Sequence, residues 1–147
     1  MARFTIPDGW TAQAFQFTLD LTDDQAACVR RQFGGRRKAR NWAVATLKAD
    51  LAAYRETGET TEKPSLPGLR KRWNQVKDTE CCNPETGEVW WPEISKEAFA
   101  DGIKAGVDAY WNWQQSRAGT RAGRRVGFPR FAKKGRDRGR VTFTTGA

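Results

Sequence analysis

The chain has 147 residues, of which 38% are hydrophobic and 12% aromatic, so it has enough apolar material for one folded domain with a real core. It contains no histidine, which excludes the Ser/His and Cys/His pairs of nucleophilic catalysis and the usual His-based metal clusters. Its three cysteines, Cys28, Cys81 and Cys82, match neither a disulfide framework nor a thiolate zinc site. The carboxylates are scattered, and we therefore expect the chain, as it stands, to be no enzyme and to need no cofactor. No apolar run could span a membrane and the start lacks a signal peptide, which predicts a cytoplasmic protein with no membrane partner.

The net charge of +9 is concentrated in one stretch of the sequence. Residues 1–116 hold sixteen basic and sixteen acidic residues, whereas residues 117–140 hold ten basic residues and one acid, Asp137. Glycines and the motif 127–131, which contains two phenylalanines, interrupt this basic stretch. Lys and Arg contact phosphates, and aromatic rings offer a face on which a base can stack. The pattern favours a nucleic-acid partner, and a solvated basic tail without a fixed partner is the alternative.

The first predicted elements are a strand and a helix. Residues 15–21 alternate between apolar and polar side chains, which predicts a half-buried strand that contributes to the core. Thr22 and Gln25 form the sequence signature of a capping box at the start of a helix. Gly34-Gly35 is expected to loosen or break this helix, because a glycine costs about 1 kcal/mol relative to alanine in a helix interior. The apolar residues of the strand are Phe15, Phe17, Leu19 and Leu21, and those on one face of the helix are Cys28, Val29 and Phe33.

A second helix is predicted over about 36–54. It begins with the basic run 36–42, and no acid occurs between Gln25 and Ala49, so the two helices meet at a basic corner. Its apolar residues recur at helical spacing and predict a buried stripe. That stripe consists of Val44, Leu47, Leu51 and Tyr54.

The second half of the chain predicts a linker over 56–65, a short helix over about 69–76, and a turn at 83–87 that leads into a small hairpin. Ser95 is the predicted cap of a last helix, which reaches about Ser116. After the basic stretch, Val141 and Phe143 alternate with threonines and predict a second strand. The two terminal strands could pair and close a small sheet around the helices. One face of the last helix carries Phe99, Ile103, Val107, Tyr110 and Gln114, widened by Trp111 and Trp113.

Six motifs, taken in order, resemble the N-terminal region of the TnpB family. The members of this family are transposon-encoded RNA-guided nucleases related to type V CRISPR effectors. The last motif is the most specific, the Asn-Trp pair is moderately specific, and the entry to the late helix is weak. The motifs are Phe15-x-Phe17-x-Leu19, Thr22-x-x-Gln25, Phe33-Gly34-x-x-Arg37, Asn41-Trp42-Ala43, Trp91-x-x-x-Ser95-x-x-Ala98 and Gly127-Phe128-Pro129-Arg130-Phe131-x-Lys133-Lys134.

The resemblance implies an α+β, mostly helical fold. In it a helical recognition lobe is inserted between the terminal strands of a small wedge-like β-barrel. The implied domains are N-terminal wedge strands over 1–22, a helical lobe over 23–118 that is often described as a transposase helix-turn-helix, and a basic loop with a returning wedge strand over 119–147. The RuvC-like nuclease domain of the family, its three carboxylates and its zinc ribbon have no counterpart in this sequence. The turn-rich segment 83–87 and the Gly34-Gly35 pair also depart from the usual pattern.

The function implied by the resemblance is that of the nucleic-acid-binding part of an RNA-guided DNA endonuclease, linked to transposition and DNA recombination. Its partners would be guide RNA, double-stranded DNA and the remainder of a larger nuclease chain, with no metal held by this segment. The predicted nucleic-acid-binding residues are Arg36, Arg37, Lys38, Arg40, Arg70, Arg72, Arg124, Arg125, Phe128, Arg130, Lys133, Lys134, Arg136 and Arg138.

Several of these residues keep a second interpretation. The basic run at 36–40 could be a solvated helix face, and Asn41-Trp42 could pack helices together or contact bases. Phe128 could stack on a base or belong to the core, and its motif could anchor a loop or contact a nucleic-acid backbone. For the whole chain, the alternative function is a helical protein-interaction module with a solvated basic tail.

Overall fold

The computed structural model describes residues 5–59 and 62–144. Three α-helices account for most of its regular structure: α1 (Asp23–Thr57), α2 (Leu66–Glu80) and α3 (Lys96–Ala118). A single 3-10 turn, Trp91–Glu93, precedes α3. None of the helices in these ranges has the length and apolar character needed to cross a membrane.

The start of α1 confirms the predicted capping box. The hydroxyl of Thr22 accepts a hydrogen bond from the backbone N–H of Gln25 (3.3 Å), and the side chain of Gln25 accepts one from the backbone N–H of Thr22 (3.0 Å). Asp23 and Asp24 lie in the first turn, where their negative charge is favourable beside the free N–H groups. The helix ends at Thr57, and Gly58, with a positive φ of 69°, caps its last turn.

The predicted break at Gly34-Gly35 is wrong, because α1 runs through both glycines without interruption. Gly35 is buried against Ile94, and a Cβ at this position would collide with the isoleucine side chain. Gly102 of α3 faces the backbone of Arg36 in the same way. These glycines let the helices approach closely, so the packing gained there offsets their low helix propensity.

The core lies between α1 and α3, with α2 packed on one side. The predicted stripe of α3 is confirmed, since Phe99, Ile103, Val107 and Tyr110 are all buried. From α2, Trp73 inserts its ring near Phe99, at a centroid distance of 5.1 Å. The stripe of α1 is confirmed in part: Val44 and Leu47 are buried and Leu51 packs against the core, but Tyr54 is 46% exposed.

The region between α2 and α3 is close to its prediction. Helix α2 is longer than expected, because Ser65 caps it and Pro67 occupies its first turn, which tolerates proline. The predicted hairpin is reduced to one antiparallel bridge between Cys82 and Val89. Ser95 caps α3 as predicted, and its hydroxyl accepts the backbone N–H of Glu97 (3.2 Å).

The predicted wedge-like β-barrel is wrong. The part of the chain that the structure describes contains three helices and no strand, sheet or barrel. Phe15, Phe17 and Leu19, which the alternating pattern places in a core, are 70%, 78% and 72% exposed. Parts of the predicted terminal wedge segments, at 1–4 and 145–147, lie outside the described residues.

The reason is visible in how the returning segment uses its backbone groups. The backbone N–H of Thr142 donates to the carboxylate of Asp101 (3.0 Å), and that of Thr144 donates to the carboxylate of Glu97 (2.5 Å). Two residues along an extended chain cover nearly the same distance as four along a helix. The N–H groups of Thr142 and Thr144 therefore have the same spacing as the carboxylates of Asp101 and Glu97, which lie one turn apart on α3. Its N–H groups are therefore satisfied by a helix instead of a strand.

Candidate nucleic-acid interface

A loop over residues 130–140, which we call the basic loop, carries a dense group of exposed basic residues. It contains Arg130, Lys133, Lys134, Arg136, Arg138 and Arg140, all of them exposed. Its only acid is Asp137. Six of the ten basic residues of the stretch 117–140 are thus presented to solvent on one short segment.

The loop is fixed to the middle of α1 at its first end. The guanidinium of Arg40 donates to the carbonyl oxygen of Arg130 (2.8 Å). The amide of Asn41 donates to the carbonyl oxygen of Ala132 (2.9 Å) and accepts the backbone N–H of the same residue (2.8 Å). An asparagine side chain that makes both bonds imitates a paired strand, so the loop cannot rotate about this point.

The second end of the loop returns to the same helix. Gly139 lies so close to the ring of Phe33 that a Cβ there would overlap it. Phe33, Arg37 and Asn41 follow each other at four-residue spacing, which places them on one face of α1 over about 12 Å. Arg37 therefore lies between the two anchors of the basic loop.

Asp137 holds the loop in shape from within. Its carboxylate accepts the backbone N–H of Lys133 (2.5 Å), and its own N–H donates to the carbonyl oxygen of Lys133 (3.0 Å). The pKa of Asp137 is lowered, first by the hydrogen bond from Lys133 and then by the nearby charge of Arg136. The one acid of the loop thus closes its turn, while Gly135 supplies a positive φ of 84°.

The two phenylalanines of the preceding motif have different surroundings. Phe128 is half-buried, and its ring meets that of Trp113 edge-on with centroids 4.9 Å apart. Phe131 is 49% exposed. Of the two interpretations of this motif, the structure places Phe128 against the core and leaves Phe131 as the ring at the surface.

Three predicted contact residues are already paired with carboxylates. Arg36 is buried, and its Nε lies 2.5 Å from Asp101. Lys38 lies 2.7 Å from Glu80. Arg72 makes two hydrogen bonds to Asp50, at 2.6 and 3.1 Å, which raise its pKa.

Arg40 serves the protein as well, since it holds the backbone of Arg130. Burial, followed by repulsion from Arg36, lowers the pKa of the Arg40 guanidinium. The remaining predicted cations have no carboxylate within ion-pair distance among the described residues, apart from Arg136, which lies 3.4 Å from Asp137. These unpaired residues are Arg37, Arg70, Arg124, Arg125, Arg130, Lys133, Lys134 and Arg138.

Some residues that matter for this surface escaped the prediction. Asn41 was recognised in a motif but not as the anchor of the basic loop, and nothing in the sequence indicates that its partner is Ala132, 91 positions away. Arg140 and Lys96 line a groove beside α3, at the far end of the loop. A count of unpaired charge could have found Arg140, which belongs to the basic stretch.

No three Cys, Asp or Glu side chains come together as a metal-binding group within residues 5–59 and 62–144.

Comparison with known proteins shows which class of protein the relatives of this chain belong to. No family model and no solved structure matches the chain. The matching curated proteins carry the name of RNA-guided DNA endonucleases, which is the class to which the TnpB family belongs. The resemblance drawn from the motifs is thereby confirmed.

The relatives are two proteins of Mycobacterium tuberculosis, from strain CDC 1551 / Oshkosh and strain ATCC 25618 / H37Rv, each named “putative RNA-guided DNA endonuclease”. Each is 64% identical to this chain over all 147 of its residues. The chain spans about a third of their length, 32% in both cases.

Proposed function

We propose that this chain is the nucleic-acid-binding part of a TnpB-like RNA-guided DNA endonuclease and that it contacts guide RNA and target DNA. The observation that carries the proposal is the basic loop, an exposed and largely unpaired set of cations fixed to α1 at both ends. The 64% identity to proteins named RNA-guided DNA endonucleases supports the same function. The link to transposition follows from the family resemblance.

The anchored loop suits backbone contacts. Because Asn41 and Gly139 hold its two ends, the loop loses little conformational entropy when Lys133, Lys134 and Arg138 meet phosphates. In RNA-guided systems base pairing reads the sequence, while the protein follows the charge and shape of the duplex. Long basic side chains on an anchored loop are suited to contacts that follow the charge and shape of the duplex.

The cations that are already paired hold parts of the protein together. Arg36 and Arg40 position α3 and the basic loop, and Lys38 and Arg72 bind neighbouring helices. Phe128 holds the start of the loop on Trp113. We infer that direct contacts fall to the unpaired cations, which are Arg37, Arg70, Arg124, Arg125 and those of the basic loop, with Phe131 as the ring available for stacking.

The test is the salt dependence of binding. Affinity for duplex should fall with salt by a slope of about −0.9 for each phosphate contact. Replacing Lys133 and Lys134 by alanine should lower that slope by roughly 1 to 2 units and weaken all sequences alike. Fluorescence anisotropy with a labelled duplex and a labelled RNA, at several salt concentrations, measures both.

The matched control removes the same charge elsewhere. Lys48 and Lys71 are exposed helix residues outside the basic loop, and their replacement by alanine should leave the slope nearly unchanged. Equal effects of the two double variants would mean that net charge alone is responsible. Association that is insensitive to salt and to both variants would mean that the basic loop is a solvated segment, and the proposal would fall.

A further inference from the structure

A cleft runs between α2 and α3 and reaches the second end of the basic loop. Its inner part, about 220 Å³, has aromatic walls formed by Trp73, Trp91 and Phe99. Its outer part, about 430 Å³, reaches Arg140 and Thr142 of the returning segment. The two parts adjoin, because both are lined by Arg70, Lys96 and Ala100.

Trp73, which lines the inner part of the cleft, carries a buried donor without a partner. Trp73 is 2% exposed, and its indole N–H has no hydrogen-bond acceptor among the described residues. A buried donor without a partner is destabilising, and such groups in native proteins call for an explanation. The ring of Trp73 packs against Trp42 and Phe99, and these contacts do not require its N–H group.

A second tryptophan forms a fixed wall. The indole N–H of Trp91 donates to the carboxylate of Asp78 (2.5 Å), and the ammonium of Lys77 lies 3.7 Å from the centre of its ring. These contacts hold the ring in one orientation. A planar ligand that stacks on the face of Trp91 opposite Lys77 therefore does not have to order the ring first.

The charge along the cleft is positive once existing pairs are counted. Asp101 is paired with Arg36, and Asp108 with Lys104. Glu97 accepts the backbone N–H and the hydroxyl of Thr144. No described acid forms an ion pair with the four remaining cations of the cleft, which are Arg70, Lys77, Lys96 and Arg140.

We propose that this cleft binds a single unstacked base of a single-stranded nucleic acid. The base ring enters the aromatic part and displaces the side chains that shield Trp73, so that a ring nitrogen or carbonyl oxygen accepts the N–H of Trp73, and the phosphate of the nucleotide meets Arg70 and Lys96. The strand then continues along the outer part towards Arg140 and the basic loop. The proposal rests on the proposed function and adds to it a nucleotide site separate from the backbone contacts of the loop.

The chemistry favours a base over an apolar side chain of a protein partner. A leucine or phenylalanine would leave the N–H of Trp73 unpaired and would give Arg70 and Lys96 nothing to neutralise. A nucleotide supplies a flat ring, an acceptor and an anion together. Aromatic walls with cations at the mouth are the arrangement that single-strand-binding sites use.

The first experiment observes Trp73 directly. Tryptophan indole N–H signals are recorded by ¹H–¹⁵N NMR on the 147-residue chain, and that of Trp73 is identified from its loss in Trp73→Phe. Addition of a single-stranded tetranucleotide should shift this signal, whereas a blunt duplex should not. A tetranucleotide with one abasic position in each place in turn should shift it less in one of those forms.

The second experiment measures affinity for the same tetranucleotide. Trp73→Phe keeps an aromatic ring but removes the donor, and should weaken binding about three- to tenfold. Trp91→Ala removes a stacking wall and should weaken it about tenfold or more. Trp111→Phe is the control, because its indole N–H donates to the carbonyl oxygen of Pro64 outside the cleft. Thermal melting of each variant verifies that it is folded.

The outcomes separate this inference from the proposed function. If binding depends on Lys133 and Lys134 but the Trp73 signal stays in place at saturation, the base site is wrong and the basic loop still carries the function. If neither strand nor duplex binds, both proposals fail. If a nucleoside monophosphate binds the cleft as tightly as the tetranucleotide, the site belongs to a free nucleotide and the strand assignment is overturned.

Discussion

Phe128 and Phe131 lie three positions apart in one motif, yet they have different neighbours. Phe128 contacts Trp113 and Tyr110, while Phe131 is 49% exposed. Phe128→Ala should lower the free energy of unfolding by about 3 kcal/mol, the lower end for a buried phenylalanine because the ring is half-exposed. Urea denaturation measures this loss.

Phe131→Ala is the matched control for that variant. It should change stability by no more than about 0.5 kcal/mol, as exposed substitutions usually do. If Phe131 stacks on a base, its loss should weaken binding by about 1–3 kcal/mol without changing the salt slope. Equal losses of stability in the two variants would contradict the different environments of the rings.

Cys81 gives a second prediction at the residue scale. Burial raises the pKa of its thiol from 9.0 to about 11. Between these values the unfolded chain releases the thiol proton and the folded protein keeps it, so stability falls as pH rises. At pH 10.5 the loss should be on the order of 2 kcal/mol. Urea denaturation at pH 8 and pH 10.5 measures it.

Two alanine variants distinguish this thiol from other titrating groups. Cys81→Ala should lose less stability between the two pH values than the unsubstituted chain does. Cys28, which its helical face predicts to be packed, is in fact exposed. Cys28→Ala is the matched control, because it removes a thiol from an exposed position. A Cys81→Ala variant with the full pH dependence would show that its thiol is not the group responsible.

At the scale of elements, the two adjacent glycines of α1 should respond in opposite ways to alanine. A Cβ at position 34 has no atom within 4 Å, so Gly34→Ala should stabilise the protein by about 1 kcal/mol through helix propensity. A Cβ at position 35 would strike Ile94, so Gly35→Ala should destabilise it, by about 1–3 kcal/mol. Thermal melting of the two variants gives the signs.

Gly102 provides the stricter test of the contact between α1 and α3. A Cβ there would collide with the backbone carbonyl of Arg36, which cannot rotate away as a side chain can. Gly102→Ala should therefore cost more stability than Gly35→Ala. A stable Gly102→Ala variant would mean that the two helices are further apart than the structure has them.

At the scale of the whole molecule, we expect binding without cutting. The chain has no histidine, and its carboxylates are scattered in the sequence. We propose that cleavage depends on the parts of the longer relatives that this chain does not span. With Mg²⁺, the purified chain should leave DNA and RNA intact on a denaturing gel. Metal-dependent cleavage that persists through further purification would contradict this expectation.

The sequence determined the local features of the molecule. The capping box at Thr22, the serine cap of α3 and the buried stripe from Phe99 to Tyr110 depend on neighbours within a few residues, so pattern and propensity suffice to predict them. The charge of residues 117–140 could be counted directly. The family resemblance also rested on short motifs, and comparison with relatives confirmed it.

Only the tertiary structure decided which groups meet across the chain. Asn41 contacts Ala132 and Arg36 contacts Asp101 over separations of 91 and 65 residues. Those contacts make anchors of Arg36, which was predicted to bind nucleic acid, and of Asn41, which was predicted either to pack helices or to contact bases. The alternating pattern at 15–19 was real but produced no sheet, because a strand needs a partner and the returning segment bonds to α3 instead. Periodicity reports which side chains are apolar, whereas the backbone hydrogen bonds that make a strand depend on what lies beside it.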